Sequence, residues 1–439
     1  MKYILSQKSS PLLGTPQIPG DKSISHRALI IGSMCIGKSY VEGLLESADV
    51  FSTMNALRML GVEIVFSNNK WVIKGVGLSG FREPDEYIDL GNSGTGIRLI
   101  LGAIMGSNIL VNFKGDTSLS KRPMERVLTP LQLMGAKVIS SKNGKLPITI
   151  KGPEEVLSIN YISKISSAQI KSSVLLSGLS ASGKTIIKEK RESRNHTETL
   201  LSKLGANIVS KSIENGSNII ELDGRPLLKG KKISVPSDPS SAAFPIVAAM
   251  ITPNSKINLH NIMINHGRNG LIETLKEMGG KIKIYNERNI DGEKNASIYV
   301  EYSELKGTIV PSDRAPQMID EYPILSIAAA AAEGNTTMKG ISELRVKESD
   351  RIKIVSEGLN NAGIKTIETA DSLKVFGGQV LGGCTIDSEL DHRIAMSFAI
   401  LGLISKNPIK ILRPITILTS FPNFINMMID LGAKLTKYE

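Results

Sequence analysis

The stretch LRMLGVEI, residues 57 to 64, decides the fold because five similar phrases follow it along the chain. Each has an apolar residue four positions before a glycine, and the five are LQLMGAKV, LSKLGANI, LKEMGGKI, LNNAGIKT and MIDLGAKL. The six glycines, Gly61, Gly135, Gly205, Gly279, Gly363 and Gly432, lie 69 to 84 residues apart. Such a glycine is typical of a helix C-terminus, and the apolar and polar alternation after it predicts a strand. The sequence therefore predicts six copies of one α/β unit.

A second series of segments lies between these phrases, and each segment begins polar and then becomes almost wholly apolar. They are GDKSISHRALIIGSM, GNSGTGIRLILGAIM, SSAQIKSSVLLSGL, DPSSAAFPIVAAM, MIDEYPILSIAAAAAEG and LDHRIAMSFAILGLI. A helix that is apolar on nearly every face is expected to be buried, whereas the amphipathic helices that end at the glycines are expected to face solvent. The polar openings are then helix N-termini, whose free N–H groups and dipole attract anions.

The two halves of the chain also resemble each other. IPGDKSIS begins at Ile18 and VPSDPSSA begins at Val235, three repeats later, and 439 residues exceed one ordinary hydrophobic core. We predict one lobe from residues 20 to 234 and a second from residues 1 to 19 plus 235 to 439. The chain would cross between them at a hinge near residues 15 to 19 and 234 to 239.

The composition is that of a globular enzyme, with 41% apolar and 22% charged residues. We expect no membrane span, because no apolar run reaches about 18 residues. Cys35 and Cys384 are too isolated for a disulfide framework or a thiolate metal site, and the start has no targeting pattern, so we expect a cytoplasmic protein. The net charge of +11 favours anionic partners. Because the cations are dispersed and only 4% of residues are aromatic, small anions are favoured, and a nucleic-acid-binding repeat protein is the alternative.

The segment GSMCIGKS, Gly32 to Ser39, matches the phosphate-binding pattern GxxxxGK[ST]. That pattern functions where a strand enters the loop and a helix leaves it. Here an apolar helical segment comes first, and the strand-like SYVEGLL follows. We therefore expect a helix-to-strand turn with Lys38 in solvent, and a P-loop kinase or ATPase is the alternative.

Charged and hydroxylated residues at the helix openings form the candidate anion site. The N-terminal half supplies Lys22, Ser23, Arg27, Gly94, Arg122, Ser167, Gln169 and Arg194, and the C-terminal half supplies Asp320, Arg345, Lys347, Glu348, Arg351, His392 and Arg393. Cations and hydroxyl groups suit phosphate and carboxylate ligands, and Gly94 lets the backbone approach an anion closely. Carboxylates among so many cations are candidate general bases, with structural ion pairs as the alternative explanation.

The motifs GDKSISHR, GNSGTG, KRPM, SSAQ, DEYP, RVKESDR and DHR resemble, in this order, those of the 5-enolpyruvylshikimate-3-phosphate synthase family, in their class II form. The resemblance runs from about residue 17 to the C-terminus. It implies an α/β enolpyruvyl transferase fold of two inside-out barrels, each of three βαβαββ repeats. It also implies transfer of the enolpyruvyl group of phosphoenolpyruvate to the 5-hydroxyl of shikimate 3-phosphate by addition and elimination, without a metal or cofactor. We expect a monomer whose lobes close on shikimate 3-phosphate.

The resemblance implies roles for the residues at matching positions. Shikimate 3-phosphate would be bound by Lys22, Ser23, Arg27, Ser167, Gln169, Arg194, Asp320 and Lys347. Phosphoenolpyruvate would be bound by Lys22, Gly94, Arg122, Gln169, Arg351 and Arg393, with His392 nearby. Asp320 would be the base for the 5-hydroxyl and Glu348 would move the proton at C3, while Lys22 and Lys347 are the alternatives for part of that transfer.

Two positions depart from some family members. Thr419 stands in TSFP where some members have a lysine, so one phosphoenolpyruvate contact is missing or supplied elsewhere. Gly94 stands where some class II enzymes that resist glyphosate have alanine. Because glycine leaves the space that the alanine methyl would fill, the resemblance implies a glyphosate-sensitive enzyme.

Overall fold

The computed structural model describes residues 1–213 and 216–438, which form two compact units. The first, unit N, comprises Gly20–Val235 together with Ile290–Glu293. The second, unit C, comprises Met1–Pro19, Pro236–Asn289 and Lys294–Glu439. The repeat pattern does not predict the short return of residues 290 to 293 to unit N. The hinge expected between the lobes stays a prediction.

Apart from a four-residue helix at Ala315–Met318, the helices alternate along the chain between buried and amphipathic. Numbered in order, they are α1 (Lys22–Ser33), α2 (Ala48–Met59), α3 (Gly94–Ala103), α4 (Glu125–Leu133), α5 (Ala168–Gly178), α6 (His196–Leu204), α7 (Pro239–Ile251), α8 (Gly270–Glu277), α9 (Ala315–Met318), α10 (Tyr322–Ala331), α11 (Arg351–Asn361), α12 (His392–Leu401) and α13 (Phe424–Asp430). In unit N, α1, α3 and α5 are buried over most of their length, and α3 contacts both α1 and α5. In unit C, α7, α10 and α12 are buried and contact one another. All six polar openings are helix N-termini, as predicted.

Twenty-four strands lie within residues 1–213 and 216–438. They are β1 (Tyr3–Gln7), β2 (Leu13–Gly14), β3 (Ile36–Glu42), β4 (Glu63–Ser67), β5 (Lys70–Val76), β6 (Ile88–Asp89), β7 (Leu110–Lys114), β8 (Lys137–Ser141), β9 (Ile148–Lys151), β10 (Asn160–Ser163), β11 (Lys184–Glu189), β12 (Ile208–Ser212), β13 (Asn218–Asp223), β14 (Lys232–Ser234), β15 (Lys256–Met263), β16 (Lys281–Ile290), β17 (Glu293–Glu301), β18 (Ile309–Val310), β19 (Asn335–Lys339), β20 (Thr366–Glu368), β21 (Ser372–Phe376), β22 (Thr385–Asp387), β23 (Ile409–Leu412) and β24 (Lys434–Tyr438).

The strands of the described residues form four-stranded sheets with one recurring topology. In unit N the orders are β14-β3-β5-β4, β6-β7-β9-β8 and β10-β11-β13-β12, and in unit C they are β2-β15-β17-β16, β18-β19-β21-β20 and β22-β23-β1-β24. The first pair of each sheet is parallel and the third strand joins it antiparallel. Since a buried helix precedes the second strand and an amphipathic helix follows it, each sheet belongs to one βαβαββ repeat.

Three repeats take a strand from a distant part of the sequence, and in the last of them β1 pairs antiparallel with both β23 and β24. Strand β14 pairs in parallel with β3, so the first repeat of unit N is completed by the last strand of that unit. Strand β2 pairs in parallel with β15 and completes a repeat of unit C. The spacing of the repeat glycines does not show which distant strand completes each of these repeats.

The repeat glycines end the amphipathic helices in a left-handed conformation. Their φ angles lie between +89° and +114°, a region that side chains with a Cβ adopt at a steric cost. Each glycine comes one or two residues after the last residue of α2, α4, α6, α8, α11 or α13, and a strand begins two to three residues later. The prediction of helix C-termini at these positions is confirmed.

The segment GSMCIGKS lies across the end of α1 and the start of β3. Lys38 is exposed within β3. The order is therefore helix, turn, strand, which is the reverse of the order that a P-loop requires. Across residues 1–213 and 216–438, every helix is too short or too polar to cross a bilayer.

Close packing of α3 on α5 depends on Gly102. A Cβ at this position would lie 2.8 Å from the Cα of Ser173 and would overlap its carbonyl oxygen. We predict that Gly102→Ala lowers the free energy of unfolding by about 1 to 3 kcal/mol, because α5 must move away. Urea unfolding followed by circular dichroism measures the change.

Gly378→Ala provides the control. An added Cβ there meets no atom of the described residues within 4 Å, and its φ is ordinary, so its unfolding curve should match that of the unsubstituted protein. Equal stability of the two variants would contradict the packing argument.

Candidate active site

Arg27 joins the N-terminal part of α1 to α5 and α6. Its Nε donates to Thr197 Oγ1 at 2.7 Å, its Nη2 to Ser172 Oγ at 2.8 Å and its Nη1 to the carbonyl oxygen of Ser23 at 3.0 Å. Burial lowers the pKa of Arg27 to about 10, and the nearby charge of Arg194 acts in the same direction. The guanidinium remains charged at neutral pH. Arg27 is therefore held firmly beneath the first turn of α1.

Lys22 and Ser23 occupy that first turn. The Asp21 side chain accepts from the Ile24 N–H at 2.7 Å and caps the helix. Lys22 pairs with the carboxylate of Asp49 in α2. Both Lys22 and Ser23 are half-buried, so the opening of α1 presents a cation and a hydroxyl group beside free helix N–H groups.

Gln169 holds the opening of α5 against α3. Its Nε2 donates to Thr95 Oγ1 at 2.9 Å, and its Oε1 accepts from Arg98 Nη1 at 2.6 Å. Ser167 is the N-cap residue of α5. The amide orientation of Gln169 is thus fixed at both ends by residues of the GNSGTGIR motif.

Arg122 lies against the opening of α3. Its Nη2 donates to Asn92 Oδ1 at 2.5 Å and to Ser118 Oγ at 3.2 Å. A Cβ added to Gly94 would lie 2.9 Å from Arg122 Nη1. Gly94 therefore leaves the space that this guanidinium occupies. Within unit N, the predicted residues gather at the openings of α1, α3 and α5, while Arg194 lies in the segment before α6.

Arg351 is the centre of the corresponding cluster in unit C. Its side chain is 1% exposed, and its Nε donates to Asp391 Oδ2 at 2.8 Å. Its Nη2 donates to Glu348 Oε2 at 2.5 Å, and its Nη1 lies 3.5 Å from Asp320 Oδ1. Burial alone would lower the pKa of Arg351, but Asp391, Glu348 and Asp320 raise it above its ordinary value. The guanidinium is therefore permanently charged.

The other predicted residues of unit C surround this arginine. Lys347 Nζ lies 4.0 Å from Asp320 Oδ1, and Arg393 Nη1 donates to the carbonyl oxygen of Asp320 at 3.1 Å. His392 is buried in the first turn of α12. Arg345 instead pairs with Asp350, the N-cap residue of α11, at 2.8 Å.

Asp391 and Arg98 of these clusters were not predicted from the sequence, whereas Glu321 was placed with Asp320 at a helix opening but was given no role of its own. Asp391 caps α12 by accepting from the Arg393 N–H at 2.9 Å, and it is the first letter of the DHR motif. Glu321, the second letter of DEYP, is buried; it accepts from Ser240 Oγ and lies 3.8 Å from Arg393 Nη1. Arg98 ends the GNSGTGIR motif. Their positions within the motifs were the only sequence signal for these residues. Their bonding partners could not be recognised because they are distant in sequence.

Thr419, which stands where some family members have a lysine, forms its side-chain hydrogen bond within its own turn. Its hydroxyl donates to the carbonyl oxygen of Thr416 at 2.7 Å. This turn, Pro414–Thr419, packs against α12. The side chain at this position is half-buried.

Comparison with known proteins identifies the family. Residues 6–428 match the model of EPSP synthase (3-phosphoshikimate 1-carboxyvinyltransferase). The chain belongs to the EPSP synthase family. It is 48% identical over 432 residues to the 3-phosphoshikimate 1-carboxyvinyltransferase of Paracoccus denitrificans, covering 98% of this chain and 97% of the relative. It is also 48% identical over 434 residues to that of Chelativorans sp., with the same coverage.

Solved structures agree with this assignment. The EPSP synthase from Acinetobacter baumannii is 40% identical, with a TM-score of 0.86 and full coverage of both chains. The enolpyruvyl transferase NikO from Streptomyces tendae shares the fold, with a TM-score of 0.78 at 14% identity, over 99% of this chain and 98% of that one. The family, the enolpyruvyl transferase fold and the enzyme class predicted from the motifs are confirmed.

The buried ion pairs of Arg351 generate a prediction for stability. Asp391→Asn keeps the α12 cap but removes the charge beside a fully buried guanidinium. We expect a loss of about 1.5 to 3 kcal/mol in the free energy of unfolding, because the fully buried carboxylate partner is lost while Glu348 and Asp320 still face the guanidinium. Guanidinium chloride unfolding measures it.

Asp387→Asn is the matched control, since the Arg413–Asp387 pair of the same repeat is 44% and 46% exposed. Its loss should stay below about 1 kcal/mol. A similar loss in both variants would show that burial of the Arg351 pair is not what makes it strong.

Proposed function

We propose that this chain transfers the enolpyruvyl group of phosphoenolpyruvate to the 5-hydroxyl of shikimate 3-phosphate and releases phosphate. Membership of the EPSP synthase family over residues 6–428 supports this activity. The main structural support is that the residues of the family motifs lie together at helix N-termini in each unit. Helix N-termini and fixed cations are suited to anionic substrates.

Shikimate 3-phosphate is proposed to bind to Lys22, Ser23, Arg27, Ser167, Gln169, Arg194, Asp320 and Lys347. The hydroxyl groups and amide at the openings of α1 and α5 supply neutral hydrogen-bonding groups, and Lys22 and Arg194 supply charge. Arg27 already makes its hydrogen bonds within the protein, which supports a role in which it adds charge and fixes α1 against α5.

Phosphoenolpyruvate is proposed to bind to Lys22, Gly94, Arg122, Gln169, Arg351 and Arg393, with His392 nearby. Arg122 and Gln169 are held by protein partners before any ligand binds. Arg351 cannot lose its charge at neutral pH. Cations fixed in this way stabilise charge in the transition state without the cost of reorganisation.

Proton transfer is proposed to involve Asp320, Glu348 and Lys22. In the addition, the 5-oxygen attacks C2 of phosphoenolpyruvate, Asp320 takes the hydroxyl proton, and C3 gains a proton from Glu348 or Lys22. In the elimination, C3 returns a proton and the C2–O bond to phosphate breaks. Asp320 contacts Nη1 of Arg351 and Glu348 contacts Nη2. The two carboxylates therefore occupy separate positions, which supports separate roles for them in the two proton transfers.

The chain itself carries all the residues proposed for both substrates, which supports action as a monomer. The free thiols of Cys35 and Cys384 support a cytoplasmic location, where thiols remain reduced.

The activity is tested by phosphate release from phosphoenolpyruvate that depends on shikimate 3-phosphate, in the absence of ATP and magnesium. We expect Lys22→Ala to lower kcat/KM by about 100-fold or more, because a fixed cation at the reacting groups is lost. Lys38→Ala should change it by less than about twofold, since this lysine is exposed in β3. A folded protein that releases no phosphate, or releases it only with ATP, would refute the proposal.

Glyphosate inhibition tests the space beside Gly94. The unsubstituted enzyme is expected to be sensitive. In Gly94→Ala the new methyl group presses on Arg122 Nη1, so we predict an inhibition constant at least about tenfold higher, a change of about 1.4 kcal/mol. The control variant Gly378→Ala should have the same inhibition constant for glyphosate as the unsubstituted enzyme. An inhibition constant unchanged by Gly94→Ala would contradict the steric argument.

A further inference from the structure

A buried lysine that the proposed chemistry does not use lies in the middle of α5. Lys171 is 1% exposed. Its Nζ lies 2.7 Å from Glu198 Oε1, 3.1 Å from Glu189 Oε2 and 3.0 Å from the carbonyl oxygen of Ser193. The contacts to Glu189 and Ser193 are hydrogen bonds, and the contact to Glu198 is an ion pair.

The three partners of Lys171 enclose the segment that carries Arg194. Glu189 ends β11, Glu198 lies in the first turn of α6, and Ser193 directly precedes Arg194. Ser193 is bound twice more, because its Oγ donates to Glu189 Oε1 at 2.6 Å and its N–H to Glu189 Oε2 at 3.3 Å. One ammonium therefore ties both ends and the middle of the segment from residue 189 to residue 198.

The charges of this cluster also act on Arg27. The side chains of Glu189 and Glu198 are 0% and 7% exposed, so their charges are weakly screened by water. Burial alone would lower the pKa of Lys171, but Glu198 and Glu189 raise it above the ordinary value, and the ammonium stays charged. Glu198 acts electrostatically on Arg27, and its neighbour Thr197 accepts from Arg27 Nε at 2.7 Å.

We propose that Lys171 is a positioning residue for the phosphate group of shikimate 3-phosphate. It acts in two ways: it fixes the backbone beside Arg194, and it neutralises the carboxylate of Glu198, whose charge acts on Arg27. Loss of the ammonium frees the Arg194 segment and leaves negative charge near an anionic substrate. This inference rests on the proposed function, because Arg194 and Arg27 are assigned to shikimate 3-phosphate there.

The contacts of α5 predict which substrate is affected. Lys171 bonds to the Arg194 segment, whereas Gln169, proposed for both substrates, is held by Thr95 and Arg98 of α3. A change at Lys171 therefore reaches the shikimate 3-phosphate residues and leaves the α3 contacts of Gln169 intact. A purely structural ion cluster would lower stability without this selectivity.

The experiment compares Lys171→Met with Lys184→Met in the phosphate-release assay. Lys184 belongs to β11 and pairs with Glu221 at 3.1 Å, but its side chain is 50% exposed. We expect Lys171→Met to raise KM for shikimate 3-phosphate by about tenfold, as displaced positioning groups do, with KM for phosphoenolpyruvate and kcat within about threefold of the parent. Lys184→Met should leave all three constants unchanged. Adding Glu198→Gln to Lys171→Met removes one uncompensated charge and should recover part of the loss.

A milder variant keeps the proposal testable if Lys171→Met does not fold. Ser193→Ala removes the hydroxyl bond to Glu189 and should raise KM for shikimate 3-phosphate by about threefold. A KM for shikimate 3-phosphate equal to that of the parent in folded variants would overturn the inference, as would an equal rise for both substrates. An inactive parent enzyme would instead refute the proposed function, so the two failures are distinguishable.

Discussion

The burial of helices whose first turns must remain polar is the constraint on which both units depend. A helix begins with N–H groups that have no partner inside it, and burying such a group unpaired is costly. In this chain the bodies of α1, α3, α7 and α12 are packed in the core, and each opening is capped by a side chain: Asp21, Ser93, Asp238 and Asp391. Polar and charged residues are thereby concentrated at one end of apolar helices. The same arrangement that satisfies the fold creates an environment for anions.

The arginines at the candidate active site have different protein partners in the two units. In unit N, hydroxyl and amide groups accept from Arg27, Arg98 and Arg122, as Thr197, Gln169 and Asn92 illustrate. In unit C, the guanidinium of Arg351 is held by Asp391, Glu348 and Asp320. A neutral partner does not offset the charge of a guanidinium group, whereas the ammonium groups of Lys22 and Lys171 in the same unit are paired with carboxylates. The carboxylates of unit C offset much of the charge of Arg351 and provide groups that exchange protons.

Much of this architecture could be predicted from the sequence because it is repetitive and local. A glycine after an amphipathic helix, as at Gly205, has a conformational signature that recurs in six places, and an apolar segment that opens on GDKSISHR identifies a buried helix and its anion-binding end. The pairing of β14 with β3 could not be predicted, since nothing near Lys232 records that its partner lies almost 200 residues earlier. Lys171 was missed for the same reason. A lysine within an apolar helix gives no local sign of carboxylates 18 and 27 residues further along the chain.

Shikimate 3-phosphate is proposed to bind at the openings of the buried helices. A crystal structure of the active enzyme with this substrate tests this proposal most directly. We expect the phosphate within about 3 Å of polar groups at the openings of α1 and α5, among them the hydroxyl of Ser23 or Ser167. A substrate found instead at Gly32 to Ser39, or on an exposed sheet surface away from these openings, would contradict it.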